Sequence, residues 1–301
     1  MYRLSTTLLE QYTKDGFVLV KNIVPISRIN TVLKTIFTMY CKYSGNKEDF
    51  KSFNEPWNTD LFHQKLIELR KNDPKSSGAI YDTLRNTLTL VQLVSDDVLV
   101  DVATQFLRKK PEEISISDHA IRIDIPGDVR NAHGWHQERS YFPQNRDGLH
   151  GMVCWIPLLD CNKENGTIHT CAGSHKEGLL NVTREQKLDT SYTTRIPVPE
   201  DYVKKYKSTI VEAKQGDAVF FNMLLFHRTG ENISNKVRFT IQNRFHIATA
   251  DDYIPFDYIN HYSPFIKQKL LEKNYDCSDI PDHERQQKGV NASNYTKFNT
   301  N

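Results

Sequence analysis

Two His-x-Glu triplets, His136-Gln137-Glu138 and His175-Lys176-Glu177, are the first candidates for chemistry in this chain. Residues i and i+2 of a strand point the same way, so such a triplet presents an imidazole and a carboxylate together. A distant histidine added to the pair makes a two-His-one-carboxylate facial triad, which leaves three positions of a metal open for substrates and oxygen. With 37 acidic residues in 301, about one such triplet arises by chance, so context must separate them. His136 lies in the strand-like stretch Trp135–Phe142, whereas His175 sits in the glycine-bracketed turn Ala172–Gly178. The distant partner is His227, at the end of the apolar run that follows Gly216-Asp217. A histidine ending such a strand is expected at a rim, with Thr229 on its face.

Eleven residues beyond His227, Arg238 opens a strand in which Thr240, Gln242 and Arg244 share its face. Val237, Phe239, Ile241 and Phe245 take the other. One greasy face and one face of Arg, Thr, Gln and Arg predicts a polar pocket wall more than a solvated outer surface. The same three ligands also suit a hydrolytic zinc site, and a barrel that had lost its metal would be a binding module. Hydrolysis, however, makes no demand for the arginine downstream.

The elements that must position these groups change character along the chain. The first third reads as mostly helical. Ser5 or Thr6 caps a helix that stops at Asp15-Gly16, and Phe17–Val20 is a strand. Ser27 is expected to cap a longer helix carrying Ile29, Val32, Leu33, Ile36, Met39 and Tyr40 and ending near Gly45. Amphipathic segments follow at Leu61–Leu69 and Val98–Leu107, their apolar residues and aromatics read as core. From Ile114 the period becomes two. Ile121, Ile123 and Ile125 alternate with Arg122 and Asp124, and strands are expected at Met152–Ile156, Val211–Ala213, Val219–Leu225 and Val237–Phe245. Helices followed by many short strands predict a mainly β fold with flanking helices, a sandwich or barrel. One domain over 1–283 is expected, its β core from about 114 to 246, with a loose polar tail at 284–301. The polar stretch 176–208 is a candidate lid over the barrel mouth, and one more helix is expected at Phe265–Leu271.

Composition narrows the classes further. Hydrophobic residues at 38% and charged residues at 25% argue against wholesale disorder and coiled coil. A net charge of +2 gives no electrostatic reason to expect nucleic acid or an anionic membrane as partner. The longest apolar run, Ala218–Phe226, is interrupted by Asn222 and far short of the roughly 20 residues of a spanning helix. Cys41, Cys154, Cys161, Cys171 and Cys277 form no C-x-x-C pair, which disfavours zinc ribbons, iron–sulfur clusters and a disulfide scaffold. A cytoplasmic location is the expectation.

Taken in order and spacing, these segments resemble the phytanoyl-CoA dioxygenase family of Fe(II)- and 2-oxoglutarate-dependent oxygenases, from about Tyr12 to about His246. The resemblance is carried by Asp15-Gly16-Phe17, Trp135-His136-Gln137-Glu138 with Tyr141-Phe142-Pro143, Cys154-Trp155 and Asn165-Gly166. It continues through Gly173-Ser174-His175-Lys176, Gly216-Asp217, His227-x-Thr229-Gly230-x-Asn232 and Arg238. It implies a double-stranded β-helix of the jelly-roll, cupin-like kind. It implies Fe(II) held by His136, Glu138 and His227, and 2-oxoglutarate whose far carboxylate meets Arg238 and Thr229, with Trp155 beside the cosubstrate. His175 falls on a family turn outside the metal set. Glu138 departs from the aspartate usual in the family. Glutamate is an adequate oxygen ligand, but one extra methylene moves the carboxylate.

The implied reaction is hydroxylation of an unactivated C–H of a small molecule by O₂, with release of succinate and CO₂. Arg122, Arg139, Tyr141, Gln242 and Arg244 are the candidate substrate contacts. The substrate itself and the oligomeric state are not legible.

Overall fold

The computed structural model describes residues 2–128, 134–142, 144–145, 148–181 and 196–253. The expected helix at 265–271, the tail at 284–301 and the centre of the candidate lid lie outside them. Helix α1 (Thr6–Asp15) begins where the Ser5 hydroxyl accepts the Leu8 N–H. It ends at Gly16, whose φ of 79° lets the chain turn straight into strand β1 (Phe17–Val20). Helix α2 (Ile26–Ser44) starts differently from expectation: Pro25 occupies the cap position and Ser27 lies inside the first turn. Proline fixes a φ suited to helix entry, so no side-chain cap is needed. Its buried stripe is Ile29, Val32, Leu33, Ile36 and Tyr40.

Four further helices complete this layer: α3 (Asp60–Asn72), α4 (Pro74–Leu84), α5 (Leu88–Val94) and α6 (Asp97–Leu107). Thr59, Asp73 and Asp96 cap α3, α4 and α6 with side-chain oxygens. Phe37, Tyr40, Phe50 and Phe62 meet edge to face, with ring centroids 5.3–6.0 Å apart. Such pairs add about 0.5–1.5 kcal/mol each beyond their burial.

The strands are β2 (Ile114–Asp124), β3 (Gly151–Pro157), β4 (Ile168–Cys171), β5 (Ser208–Val211), β6 (Ala218–Asn222), β7 (His227–Thr229) and β8 (Arg238–Ile247), with the short helix α7 (Glu200–Val203) before β5. They form a five-stranded sheet, β1-β6-β3-β8-β2, and a three-stranded sheet, β5-β4-β7, with every neighbour antiparallel. The larger sheet's outer face, including Ile121, Cys154, Ile156, Phe220, Phe239, Ile241 and Phe245, packs on the helices. Its inner face, with Phe17, Val153, Trp155, Val219 and Phe221, meets Ile168 and Val211 from the smaller sheet. Two antiparallel sheets enclosing one apolar interior, with helices on one side, make a jelly-roll core.

Two expected strand boundaries move. The strand expected at 211–213 is realised at 208–211, and Ala213 makes only an isolated bridge to Cys161. The strand expected to run to Leu225 stops at Asn222, whose side-chain oxygen accepts the Leu224 N–H and turns the chain toward His227.

Candidate iron and 2-oxoglutarate site

Only one group of three metal-ligating side chains is found among the described residues: His136, Glu138 and His227, all buried, with ligand atoms within 4.8 Å of one another. The two histidines oppose each other in a single antiparallel bridge, and opposed residues send their side chains to one side. Their ring centroids are 4.2 Å apart. Glu138 arrives by another route. The stretch Trp135–Phe142, expected as a strand, is a strand only at that bridge and then enters a 3₁₀ turn over Glu138–Ser140. The turn, rather than strand parity, swings the carboxylate back beside the imidazoles. Gln137, between the ligands, points elsewhere. Its amide donates to the Gly178 and Leu224 carbonyls and accepts the Leu180 N–H, which pins the segment down.

Glu138 Oε2 lies 3.6 Å from His136 Nε2 and 3.2 Å from His227 Nε2. Each imidazole has its other nitrogen on a carbonyl, His136 Nδ1 on Gly134 at 2.7 Å and His227 Nδ1 on Leu225 at 2.9 Å. A carbonyl only accepts, so each Nδ1 carries a proton and each Nε2 is the atom turned toward Oε2. Burial pushes the Glu138 carboxyl up, but Arg244 and the two imidazoles outweigh it and hold the group well below the usual carboxylate range. Burial and the neighbouring His136 push His227 down, against the opposing pull of Glu138. Two imidazole nitrogens and one carboxylate oxygen on one buried point are donors that a divalent cation such as iron takes.

Arg238 sits on the barrel's inner face, 4% exposed. Its Nε and Nη2 donate to Asp124 Oδ2 at 3.1 and 2.6 Å across β2 and β8. Its Nη1 donates to the carbonyls of Asn165, Gly166 and Gly230. Gly166 has a φ of +88°, and a Cβ there would run into the Gly230 carbonyl and Arg238 Nη1. The Asn165-Gly166 turn is therefore glycine because the arginine needs the space. Thr229 is half-buried on β7 opposite Ile168. Trp155 is buried on the inner wall, between Val219 and Gln242 in neighbouring strands.

The candidate substrate contacts separate. Arg122 pairs in register with Thr240, and Gln242 with Ala120 and Trp155, so Arg122 and Gln242 share the inner face and both are half-buried. Tyr141 sets its ring edge-on to His136 at 5.5 Å, and its hydroxyl accepts the Ile196 N–H. Arg244 is instead bonded to the candidate ligand Glu138. Arg139 is fully buried on the opposite side of the turn, its stem against Gly148 and its charge near His246. His175 is outside the metal group, with its ring against Gly16 at the α1–β1 junction. Sequence reasoning did not single out Asp124, although its place in the alternation with the isoleucines put it on this face. It also gave no signal for the Gly134 and Leu225 carbonyls that fix the imidazoles.

The family model for phytanoyl-CoA dioxygenase (PhyH) matches residues 12–240. The human peroxisomal phytanoyl-CoA dioxygenase is 24% identical over 247 residues, covering 80% of this chain and 67% of its own. A probable phytanoyl-CoA dioxygenase of Caenorhabditis elegans is 25% identical, covering 73% and 68%. Among solved structures, the epimerase SnoN in complex with Fe³⁺, alpha ketoglutarate and nogalamycin RO has a TM-score of 0.54 at 17% identity, covering 83% of this chain and 85% of its own. That likeness speaks to the fold. With the family match spanning most of the sequence and the donor set in place, the chain belongs to the phytanoyl-CoA dioxygenase family, the Fe(II)- and 2-oxoglutarate-dependent oxygenases.

Proposed function

We propose that this protein is a hydroxylase of a small molecule, with Fe(II) held by His136 Nε2, Glu138 Oε2 and His227 Nε2. The observation that carries the reading is that two imidazole Nε2 atoms and one carboxylate oxygen, on side chains each held by a separate hydrogen bond, converge on one buried point. Bound Fe(II), 2-oxoglutarate and O₂ together supply the oxidant for a C–H bond, with succinate and CO₂ as co-products.

The chain's own residues do the rest. Arg238 receives the far carboxylate of 2-oxoglutarate: Nη2 carries a second hydrogen beyond the one given to Asp124, and charge-assisted bonds of this kind are worth about 1.5–3 kcal/mol. Thr229 adds a hydroxyl, and Trp155 walls the cosubstrate against the inner sheet. Phe221 packs on the His227 ring at 4.6 Å and helps keep water from the reacting face. Tyr141 accepts the N–H of Ile196, a residue within the segment proposed as a lid. Arg122 and Gln242, half-buried on the face that carries Arg238, are the candidate substrate contacts that remain. The zinc-hydrolase alternative makes no demand for Arg238, and the silent-barrel alternative is separated from this reading by turnover. No described helix is long and apolar enough to cross a membrane. Among the described residues Cys41, Cys154, Cys161 and Cys171 are unpaired, which supports a reducing setting such as the cytoplasm.

The test is a panel of small-molecule candidates scored by succinate release above the uncoupled rate. A substrate that raises it, and carries a new hydroxyl afterwards, supports the reading. Iron-loaded protein that consumes no 2-oxoglutarate with any of them opposes it.

A further inference from the structure

Glu138's two oxygens are differently engaged. Oε2 faces both Nε2 atoms, while Oε1 accepts Nε of Arg244 at 2.7 Å and also its Nη2. The guanidinium is fixed apart from this pair: Nη2 also donates to Gln242 Oε1 at 2.9 Å, and the group lies 3.7 Å from the centre of the Phe142 ring. Arg244 is 2% exposed and Glu138 4%, so water does not compete for either. Two donors from a planar fork on one oxygen leave only the other oxygen to turn toward a metal.

We propose that Arg244 is a positioning residue that makes Glu138 a one-oxygen ligand, and that glutamate at 138 and arginine at 244 work as a matched pair. This rests on the iron-site reading above. A glutamate has one more torsion than an aspartate and a longer reach, so unrestrained it can offer a cation both oxygens. That would fill a fourth position and leave two for a chelating cosubstrate and O₂, which need three. Holding Oε1 on Arg244 removes that option and fixes the extra torsion. The arginine is thus what lets the longer acid serve as a one-oxygen ligand. An aspartate at 138 would fall a methylene short of the fork.

The test is a double-substitution cycle of Glu138→Asp and Arg244→Gln, with Arg244→Lys as a milder variant. Each protein is checked by circular dichroism and titrated with Co(II), whose visible spectrum reports coordination number. Arg244→Gln is expected to weaken Co(II) binding about 10–100-fold, the usual effect of removing a ligand's supporting partner, and to change the spectrum. Arg244→Lys, with one donor for Oε1, should recover part of both. In the Glu138→Asp background, Arg244→Gln should cost nothing or improve binding, since it removes a buried charge the shorter acid cannot meet. Equal losses in both backgrounds with an unchanged spectrum would overturn the pairing while leaving the metal site standing. Absence of Co(II) and Fe(II) binding in the folded wild type would overturn the metal site and the pairing with it.

Discussion

His136 and His227 hold each other's backbones: the N–H of each donates to the carbonyl of the other, at 3.0 and 3.1 Å. The two ligands are thus registered by main-chain bonds that do not depend on either imidazole. Replacing His136 or His227 with alanine is expected to abolish metal retention while leaving the bridge, so melting of the metal-free protein should shift by only a few degrees, the scale of about 1 kcal/mol. Metal content by elemental analysis, set beside thermal denaturation, checks this. Retention of iron by either variant would remove that histidine from the site.

Arg238 has a structural role toward Asp124 and a proposed binding role toward 2-oxoglutarate, and the two can be separated. Arg238→Ala leaves Asp124 buried without its cation, a change expected to cost about 3–5 kcal/mol of stability. It should also weaken 2-oxoglutarate by roughly 10²-fold, the loss of about 3 kcal/mol of charge-assisted contact. Adding Asp124→Ala should restore much of the stability and none of the affinity. Urea denaturation and 2-oxoglutarate titration read the two effects separately, and recovery of affinity in the double variant would confine Arg238 to structure.

Stability should fall as the pH drops below neutral. His63 accepts the Val237 N–H through Nδ1 at 3.1 Å, just before β8 begins, so it must be neutral in the fold. Burial, then Lys236, lowers its pKa to about 4 against the opposing pull of Asp60. Burial lowers His246 to about 3, with Arg244 and Arg139 adding to it. Both folded values lie below that of a free histidine, so the unfolded chain takes up these protons first. The penalty is absent above about pH 6.5 and grows as pH falls toward 4, reaching roughly 2 kcal/mol per histidine at pH 5. His63→Asn keeps an acceptor near Nδ1 without a titrating group and should remove about half of the difference between pH 7 and pH 5. An unchanged difference would reassign the acid sensitivity.

Gly166→Ala places a methyl where the Gly230 carbonyl and Arg238 Nη1 already lie, at a φ that side chains disfavour. Both strain and displacement of the arginine follow, so the variant should lose stability by about 1–3 kcal/mol and weaken 2-oxoglutarate binding. Melting and cosubstrate titration together test it; wild-type values in both would mean the turn opens freely.

The candidate ligands and the arginine stand out as local sequence motifs, but only the arginine lies in a long strand of period two, and Glu138 is placed by a 3₁₀ turn. The inner face of β8 emerged from alternation alone, Phe239, Ile241 and Phe245 on the helices and Arg238, Gln242 and Arg244 inside. Less legible was anything set by long-range pairing. Arg244 carries no sequence mark distinguishing a substrate contact from a partner of Glu138; only the turn at 138–140 and the register of β8 decide it. Helices α4 and α5 escaped because Pro74-Lys-Ser-Ser-Gly78 reads as a turn and Leu88–Val94 is too short to show a stripe. Strand β4 holds polar His169 and Thr170, both buried by the barrel rather than by pattern.

The central claim is tested most directly by adding Fe(II) and then 2-oxoglutarate to the wild-type protein without oxygen and recording the visible spectrum. The account predicts a weak metal-to-ligand absorption band that saturates with 2-oxoglutarate and is missing from His227→Ala. A folded wild-type protein that binds Fe(II) in other positions, or develops no such band, would contradict it.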